Sequence, residues 1–411
     1  MEHVGSKSLE KHDIASVLMS KVRANMKTYT MILALAFIWI LFGVLTHGIF
    51  FLPRNLSNLF RQMTIVSFLA MGMVLVIVIG NIDLSVGSVV GFVSAIAAAL
   101  QAYILPSLFT KMGIAESMSI TTRSILVTTI SIVVSLLVGL IVGILQGSLI
   151  AYLGIPAFIV TLGGMLAFRG GVLGITQGKT IVPIEGSFRL IAQGYIPKTI
   201  GLIIGIVVAV LIFVGIFRGR SQRARYGFAP HPLYQDLIKA SFFSALVLVF
   251  VRIMNNYRGI PNPVLLMGVV ALIFSYLTTN TKFGRYSYAL GGNKEATRLS
   301  GVNINGTIFR VHILIGLLCG VSGIVLTGYV AAGTIGGGQN YELEAIASCV
   351  IGGTSFAGGE GTIVGALVGS LIMASLLNGM SVMNMPIFWQ FIIRGLVLVI
   401  AVYVDVMSKK K

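Results

Sequence analysis

Residues 80–88 read Gly-Asn-Ile-Asp-Leu-Ser-Val-Gly-Ser, a polar break between two apolar runs, 64–79 and 89–105. Asp83 is one of only 12 acidic residues in 411. A carboxylate at membrane depth costs about 3 kcal/mol unless it faces a polar cavity or a partner. With Asn81, Ser85 and Ser88 beside it, Asp83 can cap the helix that follows, or the interrupted backbone can line a polar route through the chain. The two roles are compatible. The other polar residues inside or beside apolar runs are Arg169, Arg394 and the pair Glu342/Glu344. A carrier driven by protons or sodium uses several such carboxylates, or a helix broken around an ion. That leaves ion coupling open here, but a neutral polar solute passing Ser, Thr, Asn and backbone needs no more than is present.

Nothing in the chain spells a catalytic constellation. There is no phosphate-binding glycine loop with lysine, no His-Glu-x-x-His, no Cys/His metal cluster and no nucleophile elbow. No catalytic residue, metal ligand or cofactor is therefore assigned. The five histidines are scattered. His312, near the start of an apolar run, reads as a helix-packing residue rather than a proton relay.

The elements that must position these residues follow from composition. The chain is 56% hydrophobic and 10% charged, where a soluble domain carries about 25% charged residues. Many runs exceed the roughly 18–20 residues that span a bilayer as helix. They are continuous, without the short alternation of an outer-membrane barrel. The predicted fold is an all-α polytopic membrane protein of about twelve crossings, some short or broken, embedded in the lipid bilayer. The net charge of +17 sits in short clusters between apolar runs, the pattern of the positive-inside rule and not of a nucleic-acid surface. Cys319 and Cys349 lie in apolar context and are expected to be small buried side chains without a disulfide. No secretory signal is visible.

Taken in order, residues 1–28 form a charged tail with Lys7, Lys11, Lys21, Arg23 and Lys27, expected on the cytoplasmic side. Apolar segments are expected at about 29–51, 64–80, 84–105 (ending at Pro106), 124–150, 155–175, 199–217, 237–254, 262–279, 307–331, 342–357, 361–380 and 386–404. A separate interfacial helix is expected over 55–62. The basic stretches 218–225 and 280–306 and the C-terminal lysines then fall on one side, with residues 29–405 as one transmembrane domain and 406–411 as a basic tail. Segment 342–357 is the weak link: its length suits a re-entrant pair or a broken helix as well as a crossing. Gly361, Gly365 and Gly369, four apart, are expected to pack helices closely. The loop 284–301 is amphipathic. Asn293 suits an N-cap, Glu295 the first turn, and Gly301 the stop of a short helix over 293–300.

Four stretches carry a resemblance: IDLSVGS at 82–88, PAFIVTLGGMLAFRG at 156–170, the loop 284–301 with its Glu295-Ala296 and Gly301, and 347–369 followed by Asn378-Gly379-Met380. In this order, over roughly residues 55–405, they resemble the permease subunits of bacterial ABC sugar importers of the ribose/xylose type. Two departures stand out: Asn81 where many relatives have Gly, and Thr297 where a second alanine is common. The chain is also longer than the ribose type. Residues 198–259 look like an inserted helix pair, as in the xylose-type branch, which favours xylose or a related aldose. The resemblance implies a pore of two permease copies, a cytoplasmic ABC ATPase subunit docked on the loop, and an extracytoplasmic sugar-binding protein. It implies a multi-pass protein of the bacterial inner membrane with both termini cytoplasmic, and hydrolysis on the partner, not on this chain. The candidate path residues are Asn81, Asp83, Ser85, Ser88, Phe158 and Thr161. The candidate coupling residues are Gly291, Gly292, Asn293, Glu295, Ala296, Leu299 and Gly301. The alternatives are an ion-coupled secondary transporter and an ABC permease for an autoinducer, a nucleoside or a branched-chain amino acid.

Overall fold

The computed structural model of the chain describes residues 26–114, 117–228 and 232–409. The charged tail up to residue 25, and Lys410 and Lys411, lie outside the described residues. The described residues are almost wholly helical: α1 (Met26–Leu45), α2 (Pro53–Val78), α3 (Val86–Lys111), α4 (Ile120–Ala151), α5 (Ala157–Thr176), α6 (Gly186–Gln193), α7 (Lys198–Arg225) and α8 (Leu233–Asn255). They continue with α9 (Asn262–Asn280), α10 (Lys282–Gly292), α11 (Lys294–Leu299), α12 (Ile304–Val330), α13 (Tyr341–Ile351), α14 (Ile363–Val382) and α15 (Ile387–Lys409). Nine of these are long and apolar enough to cross a membrane among the described residues, and α1 and α15 contain shorter apolar stretches. The all-α polytopic fold expected from the sequence is the fold observed.

The centre of the bundle is α2. Every residue from Met63 to Ile79 is buried, so its run of large apolar side chains meets protein on all faces. The separate interfacial helix expected over 55–62 does not form. Pro53 starts α2, nothing breaks it, and Asn55 ties its first turn to Asn378 of α14 at 2.8 Å. The third segment does not end at Pro106 either. A π-helical turn over Leu100–Ile104 precedes the proline, and the helix resumes to Lys111. The wider turn accommodates a ring that cannot donate to the ladder.

Glycines set how closely the helices approach. α4 and α12 run antiparallel. A Cβ at Gly316 would stand 2.5 Å from the Gly139 carbonyl and 2.6 Å from the Gly143 Cα, so the two backbones touch as small-residue membrane pairs do. Gly316→Leu is expected to lose most folded protein in detergent, read by size exclusion, because backbone on both sides cannot yield. Gly268→Leu, at a glycine with open space around it, is the control and is expected to fold normally. Gly365 and Gly369 do pack helices: they seat against Gly352 and Ser348, which closes α14 onto the end of α13, whereas Gly361 lies ahead of α14 and seats against Thr354 in the loop. Cys319 and Cys349 are buried and free.

The segment before α14 is a broken helix. α13 has 11 residues, about 16 Å at 1.5 Å per residue, half of a ~30 Å hydrocarbon core. Ahead of it, residues 331–340 are non-helical. Gly333 pairs with Ile181 by two backbone bonds of 2.8 and 3.0 Å, and Asn340 takes the left-handed φ of 64°. Backbone polar groups at such depth must be met by protein. Arg169 of α5 does so, donating to the carbonyls of Gly337 at 3.2 Å and Ile335 at 3.4 Å.

Helices α7 and α8 form an antiparallel hairpin at the edge of the bundle. The strands that bracket it, β1 (Tyr195–Ile196) and β2 (Ile260–Pro261), pair with each other: Tyr195 opposite Pro261, Ile196 opposite Ile260. The hairpin is thus clipped shut at its base.

Candidate functional site

The polar break is where the structure concentrates buried polar side chains. Gly80 at φ 80° turns the chain out of α2. Asp83, 1% exposed, accepts from the Ser85 amide at 2.8 Å and the Ser85 hydroxyl at 2.7 Å. It therefore satisfies the start of α3, and the capping role is real. Ser85 in turn accepts from the Gln146 side-chain amide of α4 at 2.9 Å. Thr161 of α5 reaches the Ile82 carbonyl at 3.4 Å, with its stronger bond to Ala157 at 2.9 Å. His312 of α12 is fully buried, bonds the Ile308 carbonyl through Nδ1 at 2.9 Å, and interacts electrostatically with Asp83. Among the described residues its Nε2 has no hydrogen-bond partner, nor have the Asn81 amide nitrogen and the Ser88 hydroxyl.

Asn81, Asp83, Ser85, Ser88 and Thr161 thus come together. Phe158 does not join them: its side chain is 53% exposed on α5. Two residues of this cluster went unassigned in the sequence. Gln146 is the lone amide in a long apolar run, which was a usable signal. His312 packs in a helix as expected, but against the break. Glu342 is a third neighbour: its carboxylate seats against Gly87, where any Cβ would collide with it.

The second cluster lies where α10 and α11 meet the bundle. Thr281 caps α10 by accepting from the Gly284 amide at 3.2 Å. Residues 284–292, expected from the sequence as part of a loop, are therefore helix. Gly284 and Gly291 serve close approach: Gly284 packs on the Thr278 carbonyl and Gly291 on the Val78 carbonyl. The Val78 carbonyl also accepts from the Gly359 amide at 2.9 Å, and the Tyr288 hydroxyl donates to the Gly361 carbonyl at 2.7 Å. Burial pushes the Tyr288 phenol above its ordinary pKa, so it stays a neutral donor. Three segments meet at this junction: the end of α2, the end of α10, and the loop between α13 and α14. Val78 is two residues from Gly80, so the junction adjoins the polar break directly.

The short helix α11 follows. Asn293 caps it, accepting from the Ala296 amide at 2.9 Å, and Gly301 ends it at φ 78° with open space around it. Glu295 pairs with Arg298 at 2.6 Å on the exposed face. Ala296 is exposed, and Leu299 is 79% exposed. Asn293→Ala removes the cap and is expected to fray α11 by about 1 kcal/mol. Hydrogen exchange at residues 294–299 should rise several-fold while the rest of the chain is unchanged.

Residues 55–402 match the family described as branched-chain amino acid transport system / permease component. The chain belongs to that permease family and is a multi-pass membrane transport subunit. It is 41% identical over 387 residues to the xylose transport system permease protein XylH of Haemophilus influenzae, covering 94% of this chain and 98% of the relative. It is 40% identical over 390 residues to XylH of Escherichia coli, covering 94% and 93%. The ribose import permease protein RbsC of Escherichia coli is 32% identical over 356 residues, 87% of each chain. No solved structure matches.

Proposed function

We propose that this chain is the membrane permease of an ATP-driven importer for xylose or a closely related aldose. The observation that carries the reading is the likeness to xylose permeases at 41% and 40% identity over 94% of the chain, against 32% over 87% for the ribose permease. The family's printed description mentions branched-chain amino acids. The sugar permeases nearer in sequence are the better guide to the solute.

The mechanism follows from the two clusters. A cytoplasmic ATPase docks on α10 and α11, with Leu299 and Ala296 at the contact and Asn293 and Gly301 holding the helix in shape. When the ATPase closes on ATP, α10 moves with it. Gly291 has no side chain to cushion that motion, so it passes to the Val78 carbonyl and to Gly359. One branch reaches the polar break, where Asp83, Ser85, Gln146 and Thr161 hold α2, α3, α4 and α5 in register. The other branch reaches α13, the half-helix anchored by Arg169 through the segment ahead of it. Rearrangement at these two interrupted elements opens and closes the route. An extracytoplasmic binding protein delivers the sugar to the far side, and a second copy of the chain completes the pore. Both termini then lie in the cytoplasm, and the α7–α8 hairpin is an addition to a shorter permease core.

The test is complementation. A cell lacking its xylose permease but keeping the ATPase and binding protein should recover labelled xylose uptake when given this chain. Excess unlabelled ribose should not compete. Recovery of ribose uptake instead, or of leucine uptake with its own partners, would overturn the substrate assignment.

A further inference from the structure

The α7–α8 hairpin carries a surface that the transport mechanism does not use. α7 has 28 residues, about 42 Å of helix. About 20 residues cover a ~30 Å hydrocarbon core. Counted from Lys198, the core ends near Phe217. Exposed residues such as Ile200, Leu211 and Val214 are apolar up to that level. The sequence then changes at once to Arg218, Arg220, Arg223 and Arg225, still on the same continuous helix. Arg220 is held by Asp236 of α8 at 2.9 Å, which fixes the two helices at this level. Arg218 and Arg225 are exposed, seven residues apart and so on one face, and bond no carboxylate among the described residues. Tyr226 and Phe228 follow them, 76% and 69% exposed, where aromatic rings seat at the headgroup level.

We propose that this end of the hairpin is a binding site for anionic phospholipid headgroups, with Arg218 and Arg225 on the phosphates and Tyr226 and Phe228 in the interface beside them. The positive charge of the two guanidinium groups is complementary to a phosphate. Cationic clusters immediately beyond a spanning helix attract anionic lipid. An orientation signal alone asks only for positive charge in a loop. Here the charge stands on a rigid helix that outruns the core, braced by an ion pair and flanked by exposed rings. The hairpin is otherwise sheathed in exposed apolar side chains, so bound lipid is the partner its whole surface fits.

The experiment uses the purified chain in nanodiscs of phosphatidylcholine alone or with phosphatidylglycerol added, and phosphatidylglycerol titrated into the detergent-solubilised protein. The expected result is a higher unfolding midpoint with phosphatidylglycerol, and saturable binding that weakens as salt is raised. Arg218→Gln/Arg225→Gln should bind about twenty-fivefold more weakly, about fivefold for each arginine. Arg218→Lys/Arg225→Lys, which keeps the charge, should retain most of the binding. If the Gln variant does not fold, the wild-type comparison of the two lipids and the Lys variant decide. Equal affinity of a folded Gln variant, or no wild-type preference for phosphatidylglycerol over phosphatidylcholine, would overturn the proposal. So would cross-linking of 218–225 to a protein partner in place of lipid.

Discussion

Arg394→Met in an otherwise unchanged chain is expected to leave little folded protein. Arg394 of α15 donates to the Glu344 carboxylate of α13 at 2.5 Å, with the two side chains 19% and 7% exposed. Its guanidinium also lies 4.9 Å from the centre of the Phe391 ring. Glu344 separates two small cavities, of about 90 and 40 Å³, the second lined by Gln62 and Ser370. Removing one partner of a buried pair costs about 3–5 kcal/mol, a large share of a total of about 5–15 kcal/mol. Loss of the monodisperse peak after extraction, or a fall in unfolding midpoint beyond 10 °C, is the readout. Glu344→Gln/Arg394→Met removes both charges and is expected to recover most of that loss. A single variant as stable as the wild type would show that α15 is held by packing alone.

Gly291→Val should have the largest effect on transport with the least effect on insertion. The new side chain would meet the Val78 carbonyl and the Gly359 amide nitrogen, the latter 2.6 Å from a Cβ. Both are backbone and cannot move aside cheaply, so α10 must lift from α2. Uptake should fall at least tenfold, while membrane content and ATPase co-purification stay near wild type. Gly268→Val, on α9 away from both clusters and with open space around it, should transport normally. Equal uptake by both variants would remove the junction from the mechanism.

What the sequence made legible was whatever local chemistry decides. Asn293 caps α11 and Gly301 stops it because both act within one turn of their own positions. Gly365 and Gly369 share a face by helical period alone, while Gly361, expected with them, lies ahead of the helix. The long apolar helices follow from the length a bilayer demands. What stayed hidden depended on distant partners. Arg394 had no visible counterpart because Glu344 is 50 residues away, on a half-helix whose start the apolar pattern could not fix. Residues 284–292 were expected as loop, whereas they form helix and Gly284 and Gly291 let backbone approach backbone. Phe158 was grouped with the path by its motif, yet it stands exposed on α5 apart from the buried polar cluster. The cluster around Asp83 was half legible: the break itself is a sequence feature, but Gln146 and His312 reach it only through the close packing of α4 on α12.

The most direct test of the account is labelled xylose uptake by cells carrying this chain with its ATPase and binding protein, measured with and without a protonophore under sustained ATP supply. The account predicts uptake that survives the protonophore and disappears when the ATPase is inactivated. Uptake that the protonophore abolishes and that ignores the ATPase would contradict it, and would make Asp83 and His312 the centre of an ion-coupled carrier instead.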